Sequence, residues 1–343
     1  MRQHKQRKTN KSTKPTTTTK TVYRVRNWSA YNKALVRRYD LTIWVDEDTC
    51  RAWQYDGPRQ QGGQFVFSDV AIECMGTLRE VFHLPLRGAE GLLRSVFRVM
   101  GLNLAVPSYS TLSRRGQSVA IHLPKKARGA LDLVVDSSGL KVYGEGEWKV
   151  RQHGPSKRRT WRKLHLAIDP ASHEIQAAML STAGMDDGEM VASLLSQVKN
   201  QIDSVAGDGA YDKRKVYDVL AELAPQAQVN IPPRADAKIW QHGNSRQQAL
   251  PRDENLRRIR AVGRKQWKEE TGYHRRSLAE TAMFRIKTLF GDHLSNRRFD
   301  TQASQVGFRC RALNQMTHLG MPESYPVAAW PGREIARNGM NLS

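Results

Sequence analysis

The feature that most constrains the fold is a run of strand-like and helix-like segments that begins at Leu131. Three apolar or alternating runs come first, joined by short hairpin-like connections. The predicted order is strand 131–136, strand 159–169, strand 174–181, helix 186–199, strand 204–208, helix 213–223 and strand 228–231. Three strands in a meander followed by strand, helix and strand predict an α/β domain with a mixed sheet and helices on both faces.

This order is typical of a ribonuclease H-like fold, in which the fourth strand lies beside the first. Asp136 ends the apolar run of the first predicted strand, and Asp208 lies at the end of the fourth strand between two glycines. We therefore expect the two carboxylates to be neighbours. A helix predicted near residues 273–290 would cross the sheet and bring a third acid, Glu280.

Four polar residues of that helix share one face. At about 100° per residue they fall within an arc of roughly 60°; they are Tyr273, Arg276, Glu280 and Lys287. Apolar residues such as Leu278 and Ile286 occupy the opposite side. In a chain this basic, Asp136, Asp208 and Glu280 together predict a divalent-metal site that acts on nucleic acid.

Each carboxylate also has a structural interpretation. Asp136 and Asp208 could each hydrogen-bond nearby backbone amides in a turn. Glu280 has the strongest alternative, because Ser277 and Glu280 match a capping box in which the glutamate reaches back to the serine backbone. Four other acids are reserve candidates for the site: Asp169, Asp186, Asp187 and Asp212.

The charge of the chain favours a polyanion as partner. Lys and Arg total 55 against 33 Asp and Glu, a formal net charge of +22 over 343 residues, and nucleic acid is the common partner of such chains. Residues 1–38 contain 12 Lys or Arg and no acid. We therefore predict that 1–55 form a basic, largely disordered arm. The last residues, 321–343, are expected to be a tail.

Cysteine usage and hydropathy exclude several classes. The cysteines, Cys50, Cys74 and Cys310, have no paired spacing, so neither a zinc site nor a disulfide framework is expected. No stretch approaches the roughly 18 to 20 apolar residues that span a bilayer, and the basic N-terminal residues are not followed by the apolar run of a secretory signal. We expect a cytoplasmic protein.

Residues 56–125 are predicted to form a small helical module. Helices are expected at 69–82 and 87–100, followed by a short polar and basic helix at 109–115 that exposes Arg114 and Arg115. Two helices, a turn and a third helix match a helix-turn-helix, whose last helix would enter the major groove. The same three helices could equally be a structural packing unit.

Two further basic segments are candidates for holding DNA. One runs from Lys157 through Arg158 and Arg159 to Lys163, and could follow a phosphate backbone or be the solvated face of a strand. The other is a short basic helical insertion at about 234–272, within a domain spanning 126–320. Its Trp267 could stack on a displaced base.

Four segments together resemble a bacterial insertion-sequence transposase. They are Asp136-Ser-Ser-Gly-Leu-Lys-Val-Tyr-Gly, the run Lys157-Arg158-Arg159-Thr-Trp-Arg-Lys-Leu-His-Leu, Gly207-Asp208-Gly-Ala-Tyr-Asp, and Tyr-x2-Arg-x3-Glu-x6-Lys from Tyr273 to Lys287. More narrowly, the chain is similar to the insertion sequence five family of DDE transposases, the group with the Tyr-Arg-Glu-Lys signature. The likeness covers roughly residues 55–320.

The resemblance implies a reaction and its partners. Asp136, Asp208 and Glu280 would hold two Mg²⁺ ions, for which Mn²⁺ can substitute, and would cut and join DNA strands by in-line attack on a phosphodiester. Tyr273, Arg276 and Lys287 would contact phosphates near the cut. The partners would be double-stranded DNA, as transposon ends and as target, and a second copy of the chain in a synaptic homodimer near the nucleoid.

Two other functions remain open at this point. The chain could be a ribonuclease H-like nuclease without strand transfer, or a transposase-derived regulator that binds DNA and no longer cuts it. The intact acids argue against a regulator, because a binding protein has no need of a desolvated group of carboxylates.

Overall fold

A computed structural model of the chain describes residues 22–59, 61–142, 160–241 and 249–327. The strands are β1 (Val22–Val25), β2 (Leu131–Val142), β3 (Trp161–Asp169), β4 (Glu174–Thr182), β5 (Ile202–Ala206), β6 (Gln228–Asn230), β7 (His293–Leu294) and β8 (Ser324–Val327). The α-helices are α1 (Trp28–Arg37), α2 (Leu41–Trp44), α3 (Glu47–Arg51), α4 (Asp69–Val81), α5 (Leu86–Val99), α6 (Tyr109–Arg115), α7 (Val191–Leu195), α8 (Arg214–Leu223), α9 (Pro251–Glu270), α10 (Ser277–Phe290) and α11 (Phe299–Leu319). Short 3₁₀ turns occupy Asp187–Met190, Gly209–Tyr211 and Tyr273–Arg276.

The central sheet is mixed, as the sequence predicts. Its order is β4-β3-β2-β5-β6, and β7 pairs with the far end of β2. In this sheet β2, β3 and β4 are antiparallel neighbours, whereas β5 pairs in parallel with β2, and β6 in parallel with β5. The strand that carries Asp136 therefore lies between β3 and β5 in the middle of the sheet.

Helices cover both faces of this sheet because side chains of a strand alternate in direction. On β2, Val134 and Leu140 belong to a core shared with α4, α10 and α11. Leu133 and Val135 belong to a second core, shared with α7 and α8. One face of β2 thus packs against the helices from both ends of the chain, and Asp136 lies on that face between Val134 and Leu140.

Two elements differ from the predicted bounds. β2 continues past Asp136 to Val142, because its backbone stays paired with β3 from Val134↔Ile168 through Lys141↔Trp161. Asp136 is therefore an interior residue of its strand rather than the last one. The helix predicted at 186–199 is shorter, a 3₁₀ turn followed by the five-residue α7.

The helices of the 56–125 segment begin and end within two residues of their predicted positions. Ser68 and Ser108 cap α4 and α6 by accepting hydrogen bonds from Ala71 N and Thr111 N. However, α4 is buried from Ala71 to Val81 and packs along α11. The three helices thus form part of the same core as the sheet, rather than a module with a core of its own.

The arm is shorter than predicted. Residues 22–55 were assigned to a largely disordered segment, but they contain β1 and α1 to α3. They are held by apolar burial, since Trp44 and Trp53 are almost completely buried and the Trp53 Nε1 donates a hydrogen bond to Ala105 O at 2.7 Å. β1 pairs antiparallel with β8, so the start of the predicted tail is tied to the end of the arm. Residues 1–21 lie outside the described part of the chain.

A glycine in α4 allows the close approach of α11. A Cβ added at Gly76 would lie 2.5 Å from the ring of Phe308. Gly76→Ala should therefore destabilise the protein by about 1–3 kcal/mol in chemical denaturation, because the ring has to shift within a packed core. Gly91→Ala in α5 is the matched control: nothing lies within 4 Å of its added Cβ, and it should stabilise by about 0.5–1 kcal/mol. Equal effects of the two changes would contradict this packing argument.

Candidate active site

Asp136 and Asp208 are brought together by the parallel pairing of β2 with β5. In that pairing Val134 lies opposite Ala206. Asp136 comes two residues after Val134, and Asp208 comes two residues after Ala206. Asp208 begins the 3₁₀ turn Gly209–Tyr211, and its Oδ1 accepts a hydrogen bond from Ala210 N at 2.8 Å. The turn interpretation of Asp208 therefore holds for one of its oxygens, whereas Asp136 lies within a strand.

Glu280 does not form the capping box that its sequence allows. The 3₁₀ turn Tyr273–Arg276 runs directly into α10, so Ser277 has helical φ and ψ of −57° and −17° instead of the extended backbone of an N-cap. Its Oγ donates to His274 O at 3.0 Å. The Glu280 carboxylate instead accepts a hydrogen bond from Arg276 Nη2, one turn back along the helix.

The Arg276 guanidinium lies between two of the three predicted acids. While Nη2 pairs with Glu280, Nη1 is 3.8 Å from Asp136 Oδ1. The pKa of the Asp136 carboxyl is raised, mainly by burial. The charges of Asp208 and Glu280 also raise this pKa, whereas the Ser137 backbone N–H and the Arg276 guanidinium lower it. The charges of Asp208 and Glu280 thus reach the Asp136 carboxyl, and Arg276 offsets part of their effect on it.

The remaining residues of the Tyr-Arg-Glu-Lys set also belong to this place. Lys287 Nζ donates to Ser138 Oγ at 2.6 Å, and Ser138 lies on the same face of β2 as Asp136. Burial raises the pKa of the Tyr273 hydroxyl, and the charges of Asp208 and Asp136 raise it too. Arg276 thus contacts Asp136 and Glu280, and Lys287 contacts Ser138. Tyr273 and Arg276 lie in the 3₁₀ turn that precedes α10 and not in the helix itself.

Trp267 lies inside the protein and is not available to stack on a base. It is 1% exposed, its Nε1 donates to Asn255 Oδ1 at 3.1 Å, and its ring centroid lies 5.6 Å from that of Tyr273. The helical insertion thus supports Tyr273 from behind. This contact could not be read from the composition of the segment, because buried and exposed tryptophans look alike in a sequence.

The other predicted DNA contacts lie elsewhere in the chain. Arg114 is exposed on α6. Arg115 is buried, where its guanidinium donates to Phe67 O at 2.7 Å and pairs with Asp69. It ties α6 to the start of α4 and is not available to a phosphate. Three further residues lie outside the described part of the chain: Lys157, Arg158 and Arg159.

The reserve acids all have structural partners. Asp169 closes the turn between β3 and β4 by accepting from Ala171 N and Ser172 N. The other three form ion pairs: Asp186 with Lys213 and Lys215, Asp187 with Lys163, and Asp212 with Arg252. These pairings give each reserve acid a structural role, whereas Asp136 and Glu280 share the Arg276 guanidinium and Asp208 follows the strand next to β2.

Three residues near the site were not identified from the sequence. Asp132, four residues before Asp136 on β2, accepts from Arg275 Nη1 at 2.7 Å and so ties the 3₁₀ turn to the sheet. Ser138 positions Lys287. Phe284 is 69% exposed and lies one turn after Glu280 on α10. The spacing of four from Glu280 was the signal that could have singled out Phe284.

The donor set fits a hard divalent cation, because carboxylate oxygens are the ligands that such ions prefer. Among the described residues, no three His, Cys, Asp or Glu side chains form a group arranged to hold a metal. The arrangement explains why, since Glu280 pairs with Arg276 and Asp208 caps a turn. The residues are therefore the right ones for such an ion, but the Glu280 carboxylate would have to leave Arg276 to bind it.

Comparison with known families decides the identity of the chain. The family described as "Transposase DDE domain" matches residues 128–315, which include all three acids, and a second family with the same description matches residues 36–145. The chain belongs to the DDE transposase family. Transposases of this kind act in DNA transposition, and DDE domains generally use divalent metal ions.

Two solved structures are similar to this transposase at 12% identity. One is the cryo-EM structure of the piggyBac transposase synaptic complex with hairpin DNA, which matches with a TM-score of 0.38 over 83% of this chain and 75% of that chain. The other is the Drosophila P element transposase strand transfer complex, with a TM-score of 0.25 over 60% and 48% of the two chains. In the part of the transposase that the structure describes, no helix is long and apolar enough to cross a membrane.

Proposed function

We propose that this transposase binds the terminal inverted repeats of an insertion sequence, cuts the DNA strands at its ends and joins them to target DNA. One observation carries the proposal. Asp136 and Asp208 each come two residues after a paired position on neighbouring strands, and the Arg276 guanidinium contacts both Asp136 and Glu280. Such a convergence of acids in a DDE family is suited to phosphodiester chemistry with a divalent cation.

The strand order supports a finer assignment of the fold. A meander β2-β3-β4 with β5 and β6 added in parallel beside β2 is the order expected of a ribonuclease H-like domain. The Tyr-x2-Arg-x3-Glu-x6-Lys spacing supports placement in the insertion sequence five family.

Each residue of the site has a role in the proposed reaction. A pair of Mg²⁺ ions, when bound, supplies positive charge at the attacking and leaving oxygens of an in-line displacement. Asp136 would hold both ions, with Asp208 and Glu280 each holding one. Lys287, positioned by Ser138, neutralises a phosphate oxygen near the cut, and Tyr273 bonds or stacks on the same strand.

Arg276 is proposed to exchange partners. Its guanidinium offsets the charge of Glu280 and Asp136 in the structure. If Glu280 held a cation instead, the Arg276 guanidinium would be free to donate paired hydrogen bonds to a phosphate. The exchange keeps opposite charges together before and after DNA is bound.

Further contacts to DNA are proposed outside the acids. Lys157, Arg158 and Arg159 would follow the phosphate backbone. The exposed ring of Phe284, rather than Trp267, would stack on a base next to the cut. Because two DNA ends must be handled together, we also propose that the transposase acts as a homodimer in the synaptic complex, in the cytoplasm and at the nucleoid.

A joining assay with metal depletion tests the proposed function. Purified transposase, supercoiled target plasmid and duplex DNA carrying the inverted repeats that flank its gene should give products covalently joined to the target in Mg²⁺. With EDTA, cleavage and joining should fall below detection, since the carboxylates have no cation to hold, and excess Mg²⁺ should restore both. The measurement is the fraction of labelled end DNA recovered in the plasmid.

The assay also separates the alternatives. Cut ends that never join a target would identify a nuclease without strand transfer. Tight binding to the repeats with no cutting under any metal would identify a regulator. Cleavage that persists undiminished after exhaustive chelation would contradict the assignment of the three acids to a metal site.

A further inference from the structure

A basic groove lies between the helical segment and the end of the catalytic sheet. It has a volume of about 1350 Å³ and is bounded by α6, by the turn between α4 and α5, and by the segment that links α10 to β7. Six of its lining side chains are basic: Arg79, His83, Arg87, Arg114, His293 and Arg309. Glu80 is the one acidic side chain among the described residues that line it. The groove therefore has a strong excess of positive charge.

The charge of Glu80 is already offset within the protein. Its Oε2 accepts a hydrogen bond from Arg309 Nε at 2.7 Å, and its Oε1 is 3.2 Å from Arg79 Nη1. All three side chains are almost completely buried. Arg79 Nε is buried without a hydrogen-bond partner among the described residues. Two buried guanidinium groups therefore face one carboxylate, which leaves a net positive charge in the wall.

The polar face of α6 opens into this groove. Ser110, Ser113 and Arg114 line it, whereas Leu112 is buried on the opposite side of the helix. Arg87, at the start of α5, is exposed and lies over the ring of Tyr109 at 4.4 Å. A molecule held by α6 therefore also meets Arg87 and the edge of the catalytic domain, so that α6 would not act as an independent recognition helix.

The groove lies further along α10 than Glu280. Thr288 lines it and follows Lys287, which donates to Ser138 beside Asp136. From Glu280 to Thr288 the helix rises about 12 Å at 1.5 Å per residue. Successive nucleotides of one DNA strand are spaced about 3.4 Å apart along the axis. A strand whose phosphate lies at the acids would thus reach the groove about four nucleotides away.

We propose that the groove binds the phosphate backbone of the DNA end that is being cut, about three to five nucleotides from the scissile phosphate. Arg87 and Arg114 contact phosphates from the rim, and the excess charge of Arg79 and Arg309 attracts the backbone from below. This inference rests on the proposed function, because the strand that enters the groove is the one whose phosphate lies between Asp136 and Glu280. It identifies where the helical segment and the catalytic domain hold one DNA molecule in common.

The test compares two double variants of the full chain. Arg87→Ala with Arg114→Ala removes two charges from the groove; Arg98→Ala with Arg128→Ala removes two exposed charges that do not line it. Affinity for a mixed-sequence 30-base-pair duplex is measured by fluorescence anisotropy over a salt series. The groove variant should bind about tenfold more weakly at 0.15 M salt, and its slope of log affinity against log salt should fall by about 1.8, the loss expected for two phosphate contacts. The control should stay within about twofold of wild type.

Several outcomes would overturn the groove. An equal loss in both double variants would show that total charge, and not this surface, sets affinity. If thermal melting shows that the groove variant is unfolded, Thr288→Glu replaces it, since an added carboxylate in a phosphate site should also weaken binding about tenfold; unchanged affinity would then contradict the proposal. If the wild-type chain cuts and joins DNA and the groove variant binds as well as its control, the proposed function is supported and the groove proposal is contradicted. If the groove variant binds more weakly than its control but the wild-type chain never cuts DNA, the groove proposal is supported and the proposed function is contradicted.

Discussion

Asp136→Asn is expected to slow strand cleavage by a thousandfold or more, on the order of several kcal/mol of transition-state stabilisation. The two side chains have nearly the same shape, so the change removes the charge of one proposed metal ligand and leaves β2 intact. Affinity for DNA should not decrease, because a negative charge is lost from the surface that meets the phosphates. Cleavage of a labelled DNA end in Mg²⁺ and anisotropy binding measure the two properties on one preparation.

The matched control for this change is Asp203→Asn. Asp203 is an exposed residue of β5, the neighbouring strand, and losing its charge should leave cleavage within about twofold of wild type. Cleavage at the wild-type rate by Asp136→Asn would remove the aspartate from the site. Asp208→Asn is expected to behave like Asp136→Asn, and full activity in that variant would remove Asp208.

Glu280→Gln is expected to abolish cleavage to a similar extent while leaving the protein folded. Glutamine supports a capping box as well as glutamate does, so a capping role predicts little effect of this change, whereas a metal ligand cannot lose its charge. Glu280 is more than half exposed and pairs with Arg276, so the free energy of unfolding should change by less than about 0.5 kcal/mol. Urea denaturation and the cleavage assay together give the answer.

A second glutamate makes this test specific. Glu222 is exposed near the end of α8, and Glu222→Gln should change neither cleavage nor stability. If Glu280→Gln cuts DNA normally, Glu280 is not the third acid. A large drop in stability with normal cleavage per folded molecule would instead assign Glu280 a role in holding the start of α10.

The regular elements of the fold could be predicted because each had a strong local pattern. Apolar residues at helical spacing marked α5, and partial alternation marked β3, both within about two residues. The extent of β2 could not be predicted, since its polar second half is a strand only through pairing with β3. The prediction that residues 22–55 are disordered was wrong for the same reason. Their basic, polar composition gave no indication that Trp44 and Trp53 are buried against distant helices.

The contacts of the candidate site join segments that are far apart in the sequence. Helical phase predicted a common face for Tyr273, Arg276, Glu280 and Lys287; in the structure Arg276 contacts Asp136 and Glu280, and Lys287 contacts Ser138. Phase did not show that Arg276 contacts two acids at once. Burial was likewise hidden for Arg115 and Trp267, whose charge and ring suggested contact with DNA. Each of those side chains has a partner from another segment, and a single sequence carries no record of such pairs.

The order of the predicted strands and helices, the three candidate acids and the basic character of the transposase follow from the sequence, because these depend on the chemistry of single residues and on spacings within one element. Which residues meet depends on the tertiary structure. The parallel pairing of β2 with β5 puts Asp136 beside Asp208, and the 3₁₀ turn before α10 prevents a cap and directs Glu280 to Arg276. The physical reason is that electrostatic and packing energies depend on distances between segments, which a chain acquires only on folding.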